Sequence, residues 1–305
     1  IKYQLFSPKH LASDSAPMAE YQATNLKFST NQREMLSKIA ISEAGLRRCK
    51  KLCDELSVEF ICTAFDTPSL EFVAAMGVNI LKWPSGEINN LPFLEKAAGL
   101  GVPIIISTGM ADDVEISEAI GVCSSAGLSS QDIILMHCTS QYPTPVENAN
   151  IFSIPYMKKK FNLGTGFSDH TLGNQAAILA VAAGADIFEK HISLSTLMEG
   201  PDHKASVDIA NFEAYIHAVN RAASICGSVE KRCFPIEENT RAIARKSIHL
   251  AQDVGRGEAL TEDSIIIQRP GDGIAPKELN TILGCKVVRD LKAGNKLELK
   301  DIEKI

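Results

Sequence analysis

No stretch of this chain approaches the roughly 20 consecutive apolar residues that a membrane-spanning helix needs, and no secretory leader opens it. It also lacks an HExxH, a CxxC pair and a GxGxxG, so zinc protease, zinc ribbon and dinucleotide-fold readings have no support. An excess of positive charge is missing too: 31 Lys and Arg stand against 37 Asp and Glu, a net charge of -6. That argues against nucleic acid or an anionic membrane as the principal partner. Any anionic ligand must therefore be met by a local cluster of cations. The paired cysteine spacing of a secreted scaffold is absent as well. The eight cysteines are scattered, several inside apolar runs such as FICTAF and ILMHCT, and read as the reduced core thiols of a cytoplasmic protein.

What is present is the balance of a soluble globular protein, with 305 residues, 45% hydrophobic and 22% charged, enough for one large domain and a small one. Short β-rich runs recur at 1–6, 59–65, 79–85, 103–109, 132–139, 163–170 and 186–192. Amphipathic stretches at 42–56, 69–77, 91–101, 114–127 and 174–184 alternate with them, several ending at the glycine expected just past a helix. Strand and helix in alternation mean an α/β protein with a parallel sheet. Polar residues gather at the C-terminal strand ends, where a (β/α)8 TIM barrel or an open doubly wound sheet binds its ligands. A barrel needs an eighth strand, and none is visible between residue 192 and the long helix at 208–226. The first strand and helix are accordingly expected upstream of Ile1. After residue 228 the texture changes to short strands with GRG and AGN turns. This divides the chain into a barrel at 1–227, a linker at 228–240 and a small β-rich domain at 241–305.

Several side chains in this frame carry chemistry. Lys2 and Gln4 alternate with apolar residues and so share one face of their strand, which in a barrel is the interior. Lys82 repeats the pattern. Together with the strand-end hydroxyls of Thr63, Ser85, Ser107, Ser140 and Ser168, the two lysines would cradle a phosphate and a carboxylate. Any one of these serines taken alone reads more readily as a strand-to-helix cap. His170 and His191 end neighbouring strands and would bring two imidazoles to one rim, leaving most of a metal's coordination sphere open to substrate. Glu87 and Glu189 sit near the same rim, for acid–base work, for holding a histidine, or for an ordinary ion pair with a rim lysine. QRPGDGI at 268–274 is by itself a turn carrying Arg269.

In order along the chain, IKYQLF, ICTAFD, LKWPSGEINNLP, IIISTGM, MHCTSQYPTP, GFSDHTLG, EKHI, GPDHKAS and QRPGDGI resemble the bacterial N-acetylneuraminate synthases and their legionaminate relatives. The resemblance covers essentially the whole chain. It implies a TIM barrel followed by an antifreeze-like (SAF) domain, in a homodimer that swaps its small domains so that Arg269 reaches the partner's site. It further implies that Lys2, Thr63, Lys82, Ser85, Ser107, Ser140 and Ser168 hold phosphoenolpyruvate. Gln4, Tyr142, Asp202 and Arg269 would grip an open-chain N-acetylated hexosamine. His170 and His191 would bind a divalent metal, manganese first, with magnesium or cobalt as alternatives, and Glu87, Glu189 and Lys82 would serve catalysis. The expected reaction condenses phosphoenolpyruvate with N-acetylmannosamine, or with its 2,4-diacetamido-2,4,6-trideoxy analogue, and water. A phosphosugar-using relative and an inactive carbohydrate-binding homologue are the rivals. The chain departs from the family pattern at Ala64, where proline is usual, at Trp83-Pro84, where a small residue and glycine are usual, and at Ser140, where asparagine is common.

Overall fold

The computed structural model describes residues 1–26 and 31–303, which form two compact units, Ile1–Gly227 and Ser228–Ile305. In the first unit the strands are β1 (Lys2–Leu5), β2 (Ile61–Ala64), β3 (Leu81–Trp83), β4 (Ile104–Ser107), β5 (Ile133–His137), β6 (Gly164–Asp169) and β7 (Phe188–Lys190). They pair in sequence order as one parallel sheet. All seven coincide with the β-rich runs of the sequence.

Between β1 and β2 lie α1 (Pro8–Leu11), α2 (Glu20–Asn25), α3 (Gln32–Ile39) and α4 (Glu43–Glu55). One helix follows each later strand: α5 (Thr67–Ala75), α6 (Leu91–Ala98), α7 (Asp113–Ser125), α8 (Ser153–Phe161), α9 (Gln175–Ala182) and α10 (Ile209–Cys226). Local chemistry sets several starts. Asp66 caps α5 by accepting from Ser69 N, and Asp112 and Glu115 close a capping box on α7. The expected eighth strand does not join this sheet among the described residues. After β7, β8 (Ile192–Ser193) and β9 (Val207–Asp208) pair with each other.

Strand alternation sorts the side chains into two layers. Tyr3, Leu81, Trp83, Ile104, Ile106, Ile133 and Leu135 face the helices and pack with Leu46, Leu70, Phe93 and Ile116. Lys2, Lys82, Ile105, Met136 and Glu189 face the other way, into a cavity of about 310 Å3 bounded also by Phe212, Tyr215 and Val219 of α10. The sheet curls far enough for its first and last strands to meet through side chains, Lys2 Nζ lying 2.9 Å from Glu189 Oε2. This is barrel curvature.

The second unit holds α11 (Glu238–Ala244), the hairpin of β10 (Ser247–Leu250) with β11 (Ile265–Gln268), α12 (Leu279–Ile282), and the pair β12 (Lys286–Val287) and β13 (Ile302–Glu303). Ile248, Leu250, Leu260, Ile282 and Leu297 make its core. Helix α11 runs across residue 240, where the sequence reading ends its linker.

Candidate active site

The centre of the mouth is Glu189. Its carboxylate accepts from Ser168 Oγ at 2.8 Å, pairs with Lys2 at 2.9 Å and stands 3.9 Å from Lys82 Nζ. Burial alone would push this carboxyl up, but the two lysines and the hydrogen bonds outweigh it and hold it well below the usual carboxylate range. Lys82 is the most enclosed cation of the mouth, its side chain 4% exposed. It donates to Ser107 Oγ and to the Trp83 carbonyl. Desolvation lowers its ammonium from 10.5 to about 8, against the pull of Glu189. Two ammoniums share one carboxylate, so the cluster can take a further anion.

His170 and His191 follow β6 and β7 directly. The Thr139 carbonyl accepts from His170 Nδ1 at 2.8 Å, which puts the proton on Nδ1 and leaves the Nε2 lone pair 3.2 Å from Ser168 Oγ. His191 Nδ1 lies 3.6 Å from Asp202 Oδ2. Burial keeps both imidazoles neutral: His170 is lowered, and His191 falls to about 3 with Lys2 adding to the effect. The Asp202 carboxyl is raised by burial to about 6. One donor atom from each of His170, Glu189 and His191 comes within 4.8 Å of the others. Two neutral nitrogens and an ionised carboxylate fit a hard or borderline divalent cation.

Tyr142 roofs the pair, its ring 4.2 Å from that of His170 and 5.6 Å from that of His191. Tyr21, which the sequence reading overlooks, packs against it with ring centres 5.1 Å apart and the planes tilted by 39°. Across the mouth, Ser85 Oγ accepts from Gly109 N at 3.1 Å and lies 3.4 Å from Cys138 Sγ. A Cβ at Gly109 would collide with the Ser140 hydroxyl and come within 2.9 Å of both Ser85 Oγ and Cys138 Sγ. This glycine therefore keeps the cradle open, a role no motif announces. Thr63 is buried at the end of β2, and Gln4 is exposed on β1.

Glu87 is placed differently from Glu189. Its carboxylate accepts from Asn90 at 2.7 Å on its own turn, and among the described residues it has no ion pair with Lys2 or Lys82. Trp83, one of the departures from the family pattern, turns away from the pocket. It packs on Phe93 with ring centres 4.9 Å apart and donates Nε1 to the Glu87 carbonyl. Arg269 belongs to the second unit, where it is exposed and donates to the Ala244 carbonyl.

Residues 1–231 match the profile of the NeuB family and residues 245–303 that of the SAF domain. The N,N'-diacetyllegionaminic acid synthase of Legionella pneumophila is 38% identical over 99% of this chain and 86% of its own. The pseudaminic acid synthase of Helicobacter pylori is 31% identical over 100% and 89%. Among solved structures, the N-acetylneuraminic acid (sialic acid) synthetase of Leptospira borgpetersenii, crystallised with citrate, superposes with a TM-score of 0.69 at 27% identity, covering 78% of each chain. On the family match over most of its length and on these relatives, the chain is an enzyme and belongs to the NeuB family.

Proposed function

We propose that this enzyme joins the methylene carbon of phosphoenolpyruvate to the aldehyde carbon of an open-chain N-acetylated amino sugar and, with water, releases a nonulosonic acid and phosphate. The observation that carries the reading is the mouth itself: Lys2 and Lys82 around Glu189, ringed by Ser107 and Ser168, beside a His170–Glu189–His191 group able to hold a divalent cation. When bound, such a cation supplies Lewis acidity toward a carbonyl oxygen. Manganese is our first choice, with magnesium and cobalt next.

The chain's own residues do the rest. Lys2 and Lys82 hold the phosphate and carboxylate of phosphoenolpyruvate with Thr63, Ser85, Ser107, Ser140 and Ser168. Gln4, Tyr142 and Asp202 orient the sugar. As C3 attacks the aldehyde, positive charge develops at C2. Water adds there and gives one proton to a carboxylate of the mouth, Glu189 or Glu87, which relays it to the oxygen left by the aldehyde; the C2–O bond then breaks, and phosphate leaves with the water's other proton as C2 becomes a ketone. Fixed ammonium groups offset the charge that moves onto the phosphate without reorganising. The exchange of small domains between protomers, with Arg269 serving the partner's site, is part of the same proposal, as is a cytoplasmic location.

Two sugars compete. N-acetylmannosamine leads from sequence motifs, whereas the 38% identical relative named for N,N'-diacetyllegionaminic acid favours 2,4-diacetamido-2,4,6-trideoxymannose. Phosphate release from phosphoenolpyruvate with manganese, measured with each sugar and with none, tests the reading beside a His191→Ala variant. Sugar-dependent release that disappears in the variant is expected. Release without sugar, or a fully active variant, would overturn it. Mixing inactive His191→Ala and Arg269→Ala protomers restores activity only if the domains are exchanged.

A further inference from the structure

Beside the two imidazoles, between β6, β7 and helix α10, lies a second buried polar cluster, of which Lys190 and Tyr215 also border the cavity that Lys2, Lys82 and Glu189 face. Asp169 is 0%, Thr171 1% and Tyr215 6% exposed, and the Lys190 side chain 4%. Asp169 and Lys190 are register partners on β6 and β7, and each immediately precedes one of the two histidines. Because Ser168, His170 and Glu189 point inward, alternation sends Asp169 and Lys190 outward.

Asp169 Oδ1 accepts from the Thr171 backbone N–H at 2.9 Å and from its hydroxyl at 2.7 Å, closing a turn around His170. Lys190 Nζ lies 3.4 Å from Asp169 Oδ2 and donates to the Thr171 carbonyl. Tyr215 of α10 donates its hydroxyl to Asp169 Oδ2 at 3.0 Å, and the Lys190 ammonium stands 5.6 Å from its ring centre. A buried ion pair is seldom more stable than apolar packing of the same volume. The outward pair two residues earlier, Phe167 and Phe188, takes that apolar solution. The polar choice at 169 and 190 therefore calls for a reason other than stability.

We propose that Asp169, Lys190 and Tyr215 form a positioning clamp that fixes the separation of His170 and His191 and ties it to helix α10. The clamp grips the backbone on both sides of His170 and the residue before His191, so each imidazole inherits its place from a charge pair that is not itself part of the metal-holding group. This inference rests on reading His170, Glu189 and His191 as the metal-holding group.

Manganese binding to the full chain, followed by the electron paramagnetic resonance of free and bound Mn2+, tests it alongside urea unfolding midpoints. Tyr215→Phe keeps the ring and removes only the hydroxyl. Lys190→Met removes the cation, and Lys190→Arg restores it. Expected are a Kd raised about tenfold in Tyr215→Phe and Lys190→Met, an altered bound-Mn2+ spectrum, and recovery in Lys190→Arg. A core variant remote from the cluster, Phe93→Leu, lowers the unfolding midpoint and leaves Kd unchanged. If Lys190→Met does not fold, Tyr215→Phe decides alone. No Mn2+ binding by the unaltered chain sinks the metal reading itself. Binding by the unaltered chain that Tyr215→Phe leaves at the same Kd and spectrum sinks the clamp only.

Discussion

Replacing Lys82 by methionine is expected to make the first unit more stable while weakening phosphoenolpyruvate binding. Burial holds the Lys82 ammonium at about 8 instead of 10.5, a difference of about 2.5 pH units, or about 3 kcal/mol against the charged form at pH 7. Its side chain is only 4% exposed, so solvent screens little of this. The variant loses the hydrogen bonds to Ser107 and to the Trp83 carbonyl, together worth about 2 kcal/mol. Glu189 keeps Lys2 at 2.9 Å and Ser168 at 2.8 Å, so its charge stays partnered. A net gain of about 1 kcal/mol remains at pH 7, or about 2–4 °C in Tm for a unit of this size. The sign with pH follows from a depressed lysine. The penalty on the parent is fully present below its folded value of about 8 and fades as pH rises toward the unfolded 10.5. The variant's advantage therefore shrinks between pH 7 and pH 10. Urea unfolding is read cleanly by Trp83, the chain's single tryptophan, buried on the same strand. Phosphoenolpyruvate affinity falls by about 10- to 100-fold with the loss of a charge-assisted contact. A variant less stable than the parent at pH 7, or a gain that persists unchanged at pH 10, would refute the reasoning.

Three further outcomes follow from the same geometry. Gly109→Ala puts a methyl among Ser85, Cys138 and Ser140; kcat/KM for phosphoenolpyruvate should fall about 100-fold in steady-state kinetics, and the overpacking should lower stability by about 1–3 kcal/mol in urea unfolding. Because burial lowers His170 and takes His191 to about 3, while Asp202 beside His191 titrates at about 6, Mn2+ affinity of an Asp202→Asn variant should change less than about twofold between pH 7.5 and pH 6 by calorimetry, whereas imidazoles titrating near the ordinary 6.5 would lose several-fold. In the second unit Asp301, 1% exposed, accepts from both Nε and Nη2 of Arg289 and from Glu298 N. Asp301→Ala should cost about 1–3 kcal/mol by leaving the Glu298 N–H unmatched, seen as faster hydrogen exchange at β12 and β13.

The strands were legible because a parallel sheet buried on both faces writes each strand as a short apolar run bounded by polar ends. Lys2, Lys82 and Glu189 stood out for the reverse reason, as charges inside such runs. Trp83, a departure from the family pattern beside Lys82, lies outside the pocket because Lys82 points inward and alternation sends the indole to the helix layer against Phe93. Glu87 looked equivalent to Glu189, but the short turn after β3 gives its carboxylate to Asn90. Asp169 and Lys190 lay in plain view beside the histidines, and the period of two already placed them on the opposite face. What sequence could not show was that they pair, since that depends on the register Asp169↔Lys190.

By itself the sequence determined the order of strands and helices, the inward or outward sense of each strand residue, and the concentration of chemistry at the C-terminal strand ends. These are local matters, set by periodicities of 2 and 3.6 and by capping residues. The tertiary structure alone decided which carboxylate the lysines share, which imidazole nitrogen is left bare, and that Gly109 must have no side chain. Those depend on the curl of the sheet, which brings Lys2 and Glu189 from its opposite edges to 2.9 Å, and distances of that kind are fixed by the packing of elements remote in sequence.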